Sequence, residues 1–201
     1  MAATFHLLHA GYVRDDGVAS SVSLVLDGSS VIVVDPGMVA EPELILAPLR
    51  TRGVEPADVT HVVVTHHHPD HTINVGLFPN AEVVDSSVRY RGDQWTDHEG
   101  DGHRVSEHAR LILTPGHTSE DATLLIETDD GVVACTHAWW RADRSPEVDP
   151  LADDQAAPRG EPVAHPGRGR YRRPRPRRGV PHGALMREPS PALHASVADL
   201  P

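Results

Sequence analysis

A short run of β-branched residues leads directly into a dense group of histidines in the stretch THVVVTHHHPDH. Such a run is typical of a strand that is buried on both faces. His66 and His68 lie two positions apart, so an extended backbone places both imidazoles on one side. Pro69 then turns the chain, and Asp70 and His71 return from the start of the next helix. The stretch therefore predicts that one edge of a sheet gathers imidazoles and a carboxylate.

Imidazole and carboxylate groups suit Zn²⁺, with Fe²⁺ or Mn²⁺ as alternatives when the share of carboxylates grows. The competing interpretation is a surface cluster of histidines that binds nothing. The complete H-x-H-x-D-H spacing after a buried strand favours the metal site, whereas an isolated His-x-His pair would not.

The surrounding segments predict an α/β protein. Residues 20–37 predict a β-hairpin, because Val22, Leu24 and Leu26 alternate before the turn DGSS and the apolar run 31–34 returns after it. Residues 41–53 predict a helix that ends at a glycine. Further strands are expected in AEVVDSS, HARLILTPG, ATLLIET and GVVACTH, while the polar segment 92–104 predicts a loop. Strands interrupted by one or two helices favour two stacked sheets or an α/β sandwich.

A further histidine follows a predicted strand end in the stretch LILTPGHTSEDATLLIE. Pro115 and Gly116 turn the chain, and His117 is presented before the next strand begins. It lies about 45 residues after the first histidine group. His117 can therefore supply a third imidazole to the metal site.

These motifs resemble the metallo-β-lactamase superfamily over roughly residues 5–140. VIVVDPG is similar to the family's strand that ends in an Asp-x-Gly turn, THHHPDH matches its signature, and TPGHTSED matches its third-ligand loop. The last loop and the sequence NVGLFPNAEVV resemble the branch of metallo-β-lactamase domain-containing protein 1 and its bacterial relatives. The resemblance implies an α/β fold, an αββα sandwich with metals at the edge between two sheets, whose C-terminal part is incomplete here.

The resemblance also implies roles for individual residues. His66, His68 and His117 would bind one zinc ion, and Asp70 with His71 would bind a second. A metal-bound hydroxide would be the nucleophile, and Asp70 would orient it and accept a proton as the catalytic carboxylate. The family pattern thus implies one or two zinc ions in this protein.

Two other residues in these motifs are not expected to bind metal. His67 points away from His66 and His68 by the alternation of the strand. Asp35 matches a family residue that supports a ligand from behind.

The sequence departs from the family pattern at a position whose residue would complete the second metal site. The family has an aspartate that bridges both metals after the strand corresponding to GVVACTH, and no aspartate stands there. Cys135 and His137 share a strand face and are both candidates for this position, although a lone cysteine is more often a small buried apolar residue. The family's final histidine is approached only by His182.

The composition changes near residue 157, which divides the chain into a metallo-β-lactamase-like domain at 1–157 and a tail at 158–201. Residues 1–154 hold 26 acidic residues and 9 arginines, whereas residues 155–201 hold 3 acidic residues, 9 arginines and 9 prolines. The tail can be a disordered basic extension or a binder of nucleic acid. It can also be a frameshifted product, because GC-rich DNA read out of frame encodes arginine, proline, glycine and alanine.

The leading functional prediction is a metal-dependent hydrolase acting on an ester, thioester, lactone or phosphodiester. Because residues 1–154 are acidic, a small-molecule or nucleotide-type substrate is favoured over a large polyanion. The first alternative is a degenerate metal-binding module without turnover, and the second is nucleic-acid binding through the tail.

The chain is expected in the cytoplasm without a membrane span. No stretch approaches 18 consecutive apolar residues, and the first residues lack the pattern of a signal peptide. The single cysteine, Cys135, excludes an internal disulfide framework.

Overall fold

The computed structural model describes residues 1–137 of the 201-residue chain. Within this range two α-helices are formed, α1 at Glu43–Arg50 and α2 at Pro69–Thr72. Short 3₁₀ turns occupy Pro56–Asp58 and Val75–Leu77. The strands are β1 Thr4–His9, β2 Tyr12–Arg14, β3 Gly17–Ala19, β4 Val22–Asp27, β5 Ser30–Val34, β6 His61–Val63, β7 Glu82–Val84, β8 Val88–Arg91, β9 Gln94–Asp97, β10 Ala109–Leu113, β11 Ala122–Thr128 and β12 Gly131–Thr136.

The strands form two main sheets and a separate hairpin. The larger sheet has the order β1-β4-β5-β6-β7-β8-β9, and the smaller has the order β10-β11-β12. Strands β5, β6 and β7 are parallel, whereas the other pairs of the larger sheet are antiparallel. Hairpin β2–β3 stands apart from both sheets. The carboxyl ends of the three parallel strands therefore meet at one edge.

The larger sheet is buried on both faces, which explains its continuous apolar strands. One face packs Ile32 and Val34 against the smaller sheet, including Leu111 and Leu124. The opposite face packs residues such as Val33 against helix α1, which contributes Ile45 and Leu49 to that core. The α/β sandwich predicted from the sequence is confirmed as a helix layer, a large sheet and a small sheet.

The predicted hairpin at 20–37 is confirmed as β4 and β5, and Gly28 adopts a φ of 60° at its turn. The predicted helix at 41–53 is confirmed as α1 with somewhat narrower bounds.

The prediction of a loop at 92–104 is wrong in its first part, because β9 pairs there with β8 around Gly92. All four residues of β9 are exposed, so the strand carries none of the apolar alternation that reveals a half-buried strand. The hairpin is instead specified by cross-strand pairing, with Tyr90 opposite Trp95.

Several predictions fall outside the described residues. They concern the domain boundary at residue 157, the tail at 158–201 and the candidate ligand His182, and they stay predictions. Among residues 1–137, no helix is long and apolar enough to cross a membrane.

Candidate metal centre

The edge where the parallel strands end carries the polar residues that the sequence analysis singled out. Asp35 follows β5 directly, and Thr65 and His66 follow β6. The loop between β10 and β11 brings His117 to the same edge, and the end of β12 brings His137. The site is thus assembled from both sheets and lies between them.

His66, His68 and His117 converge as the sequence predicted. Each offers a ring nitrogen, and these three atoms lie within 4.8 Å of one another. His68 Nδ1 and His117 Nε2 are 3.2 Å apart. His66 is fully buried, yet its Nε2 has no hydrogen-bond partner. Because an unpaired polar atom is costly in the interior, this convergence fits a cation that the three nitrogens would share.

Asp121 fixes the orientation of His66. The Nδ1–H of His66 donates to Asp121 Oδ1 over 2.8 Å, and the Asp121 side chain is almost completely buried. Burial raises the pKa of Asp121, but hydrogen bonds from His66 and Thr118 outweigh it and bring the pKa to about 2. The carboxylate therefore holds the proton on Nδ1 and leaves Nε2 free for a metal, an arrangement common behind metal-binding histidines.

Asp121 was missed as a functional residue by the sequence analysis. It also accepts hydrogen bonds from the backbone N–H and hydroxyl of Thr118, so it ties the loop of His117 to His66. The available signal was its position at the end of TPGHTSED, where it follows His117 by four residues.

Replacing Asp121 by asparagine is expected to weaken binding of the first metal by about 10–100-fold. All three of its hydrogen-bond partners donate, and an amide has only one oxygen to accept them. The matched control is Glu120→Gln, which removes an adjacent exposed carboxylate. Isothermal titration with Zn²⁺ measures both variants, and equal affinities would contradict this role of Asp121.

Asp70 and His71 lie at the start of α2, beside the first three histidines. Their side chains contact each other, with His71 Nε2 3.5 Å from Asp70 Oδ2. The ring centroids of His66 and His71 are 5.1 Å apart. Burial lowers the pKa of His71, but the adjacent carboxylates, mainly that of Asp35, raise it above its ordinary value.

Asp35 contacts both the Thr65 loop and the ring of His71, which agrees with the supporting role that the family resemblance implied. Its two carboxylate oxygens accept hydrogen bonds from the backbone N–H and hydroxyl of Thr65, at 2.7 and 2.6 Å. His71 Nδ1 lies 3.2 Å from Asp35 Oδ2, a close contact that does not reach hydrogen-bond geometry. Asp35 is the one non-glycine residue among residues 1–137 with a positive φ, at 50°. Such a conformation persists only when its surroundings hold it.

The two candidates for the missing aspartate position are separated by the structure. Cys135 packs against the core between the sheets, and burial, with the charge of Asp35, raises the pKa of its thiol to about 12. His137 instead lies against His66, with ring centroids 4.3 Å apart and nearly parallel planes. Burial and the adjacent histidines lower the pKa of His137 to about 3, so its imidazole is neutral at neutral pH. Only His137 belongs to the histidine cluster.

His67 stays outside the cluster, as the sequence analysis expected, although it lies in the loop after β6 and not in a strand. Its side chain is 43% exposed, and its Nε2 lies 3.3 Å from Asp85 Oδ2. Asp85 also accepts hydrogen bonds from Tyr90 and from two backbone N–H groups. The adjacent Asp85 carboxylate raises the pKa of His67 above its ordinary value, against the effect of burial.

A second group of possible ligands, His98, Glu99 and His103, lies elsewhere in the fold. The Nε2–H of His98 donates to the carbonyl of Asp85, and its Nδ1 accepts from the N–H of Gly100. Both ring nitrogens of His98 are therefore occupied, which leaves no lone pair for a cation.

Comparison with known proteins places these motifs in a family context. The sequence profile described as Metallo-beta-lactamase superfamily matches residues 15–176. The chain is 35% identical over 131 residues to Metallo-beta-lactamase domain-containing protein 1 of Xenopus laevis. The matched region covers 60% of this chain and 56% of that protein. It is 29% identical over 112 residues to N-acyl homoserine lactonase of Bacillus cereus, covering 48% of this chain and 44% of that protein.

Among solved structures, the fold is similar to the crystal structure of a putative metallo-beta-lactamase from Thermotoga maritima. The TM-score is 0.55 and the sequence identity is 21%, with coverage of 68% of this chain and 78% of that chain. The chain thus spans about half the length of the two curated relatives.

Proposed function

Since this chain belongs to the metallo-β-lactamase superfamily, we propose that it is a metal-dependent hydrolase whose first metal is held by His66, His68 and His117. The observation that carries the proposal is the convergence of three imidazole nitrogens within 4.8 Å around the buried, unpaired Nε2 of His66. Three protein nitrogens with room for one further ligand are the usual donor set of catalytic zinc. Fe²⁺ and Mn²⁺ are alternatives.

The residues of the site have different roles in the proposed reaction. A bound zinc ion would polarise the oxygen of the scissile group and lower the pKa of a water molecule. Asp121 holds His66 in the tautomer that leaves Nε2 unprotonated. Asp70, whose side chain is 17% exposed, would orient the attacking water and accept its proton on a carboxylate oxygen.

The substrate we propose is a small carboxylic ester or thioester, including lactones. Residues 1–154 hold 26 acidic residues and 9 arginines. A negative field of this kind disfavours polyanionic substrates. The name of the Bacillus cereus relative, a lactonase, supports the same class of substrate.

A substrate panel on metal-loaded protein tests the proposal. Separate samples loaded with Zn²⁺, Fe²⁺ and Mn²⁺, and a chelated sample, are assayed with an N-acyl homoserine lactone, an acyl thioester and an aryl phosphodiester. We expect hydrolysis of the lactone or the thioester that chelation abolishes and metal restores. Turnover that survives chelation, or hydrolysis of the phosphodiester alone, would contradict the proposal.

A metal-binding module without turnover is the second candidate function. It is favoured by a specific observation, since a histidine rather than the family's aspartate occupies the position after β12. Tight metal binding without hydrolysis of any substrate in the panel would support this module over the hydrolase. Nucleic-acid binding through residues 158–201 and a cytoplasmic location stay predictions.

A further inference from the structure

We propose that a cavity at the opposite end of the parallel strands from the metal centre binds an inorganic phosphate ion. The polar residues that line it are His61, Glu82, Arg89, His103 and Arg104. Its volume is about 60 Å³, whereas one water molecule needs about 10–15 Å³, so a small oxyanion fits. The inference goes beyond the proposed function, because it needs neither the metal nor hydrolysis.

The cavity lies where the parallel strands begin. His61 is the first residue of β6 and Glu82 is the first residue of β7. Strand alternation puts His61 on the face of Val63 and Glu82 on the face of Val84, and both valines belong to the core between the two sheets. The cavity is therefore enclosed between the sheets, whereas the metal-binding histidines follow the other end of β6.

Two arginines line the cavity from separate segments. Arg89 belongs to β8, and Arg104 lies in the loop before β10. The Nε of Arg89 is buried and has no hydrogen-bond partner within residues 1–137, although Nη1 donates to Glu82 Oε2 over 3.5 Å. A buried donor without an acceptor is costly, and the planar guanidinium group suits phosphate oxygens. The two arginines therefore fit an oxyanion that accepts from both segments.

Positive charge gathers around this cavity, although residues 1–154 hold far more acidic residues than arginines. Burial lowers the pKa of His61, and the guanidinium groups of Arg91 and Arg89 lower it further, against the effect of the Glu82 carboxylate. Two arginines thus act on His61 where a single carboxylate opposes them. A locally positive field of this kind attracts an anion.

The two histidines of the cavity contact residues outside it. His103 Nδ1 lies 3.3 Å from Oε1 of the exposed Glu99. His61 Nδ1 lies 2.8 Å from the hydroxyl oxygen of Thr60, and this hydroxyl donates its one proton to the carbonyl of Val31. His61 Nδ1 must therefore carry the proton of that contact, which leaves Nε2 as an acceptor. A ligand that reaches His61 has to donate a proton there while it accepts from the arginines.

Inorganic phosphate meets both requirements, whereas a carboxylate ion meets only one. At neutral pH the phosphate ion retains at least one proton, so a P–OH group can donate to His61 Nε2. Its charged oxygens accept from Arg89 and Arg104. A carboxylate ion can only accept. We therefore expect phosphate to bind more tightly than acetate.

The test is isothermal titration of the full chain with inorganic phosphate, in metal-loaded and in chelated samples. We expect one phosphate per chain in both samples. Arg89→Gln should weaken binding by about 10–100-fold, because it removes a charged hydrogen-bond donor. Glu82→Gln should instead strengthen binding, because it keeps the shape of the side chain and removes the carboxylate that repels an anion. A merely structural role of these residues would not give opposite effects.

Arg52→Gln is the matched control, since exposed Arg52 donates to the carbonyl of Pro48 away from the cavity. Melting curves check that each variant is folded, and Arg104→Gln, at an exposed lining residue, replaces Arg89→Gln if that variant does not fold. Phosphate binding that disappears on chelation, or that weakens equally in Arg52→Gln, would overturn the inference, as would acetate binding as tightly as phosphate. A protein that binds phosphate as expected but hydrolyses no substrate would contradict only the proposed function.

Discussion

Replacing His68 by alanine is expected to remove the first metal and to lower kcat/KM by about 10³-fold or more. Among residues 1–137, His68 supplies one of the three nitrogens that converge on the proposed ion. A bound metal contributes several kcal/mol of charge stabilisation in such a site, and each 1.36 kcal/mol corresponds to about tenfold in rate. Elemental analysis and substrate kinetics at saturating metal measure the two losses.

The backbone at His68 is expected to keep its structure in this variant. Its carbonyl accepts the hydrogen bonds from the N–H of His71 and the hydroxyl of Thr72, and an alanine retains that carbonyl. His68 is also only partly buried, whereas His66 is fully buried. The alanine variant should therefore fold and lose the ligand alone.

His67→Ala is the matched control, since it removes the adjacent imidazole without touching the cluster. The side chain of His67 contacts Asp85, which keeps its hydrogen bonds from Tyr90 and the backbone. This variant should keep its metal and most of its activity. If His67→Ala loses metal as completely as His68→Ala, the assignment of ligands is wrong.

Replacing Gly37 by alanine is expected to displace Asp70 and to destabilise the protein by about 3 kcal/mol. A Cβ on Gly37 would lie 1.5 Å from the backbone oxygen of Asp70, so one of the two segments must move. The same oxygen accepts hydrogen bonds from the N–H groups of Ser20 and Met38. The close approach therefore links hairpin β2–β3, the Asp35 loop and helix α2.

Chemical denaturation and metal titration together measure the effect of Gly37→Ala. Because Asp70 and His71 begin α2, the displacement should weaken the second metal more than the first. Gly76→Ala is the control, since its Cβ would meet nothing within 4 Å, and its free energy of unfolding should change by no more than about 0.5 kcal/mol. A Gly37→Ala protein as stable as wild type, with both metals bound, would contradict the predicted contact.

Local spacing alone was enough to predict a strand before the first motif, formed as the shorter β6 at His61–Val63, and the relative placement of its three histidines. An extended backbone was expected to put His66 and His68 on one side and His67 on the other. The structure shows this arrangement, although the three residues lie in the loop after β6, which ends at Val63. The convergence of His117 was predicted from its place after a predicted strand end and from the family resemblance, because no local period connects residues so far apart in the chain.

The strand β9 and the role of Asp121 could not be predicted from local patterns. All residues of β9 are exposed, so its sequence lacks the alternation of apolar and polar residues that marks a half-buried strand. Asp121 lies next to His66 only because the loop between β10 and β11 folds over the edge of the larger sheet. Neither β9 nor the contact between Asp121 and His66 produces a repeating pattern of residues in the sequence.

The sequence by itself determined an α/β sandwich, a histidine-rich edge and the ligand types that suit a metal, because burial, alternation and turns act over a few neighbouring residues. Only the tertiary structure shows that His137, and not Cys135, lies beside the histidine cluster. Both share a strand face, and their different surroundings depend on where that face leaves the core and reaches the edge. It also decided that Gly37 must approach Asp70. Such contacts join residues distant in the chain, and the packing of two sheets fixes them rather than the conformational preferences of any one segment.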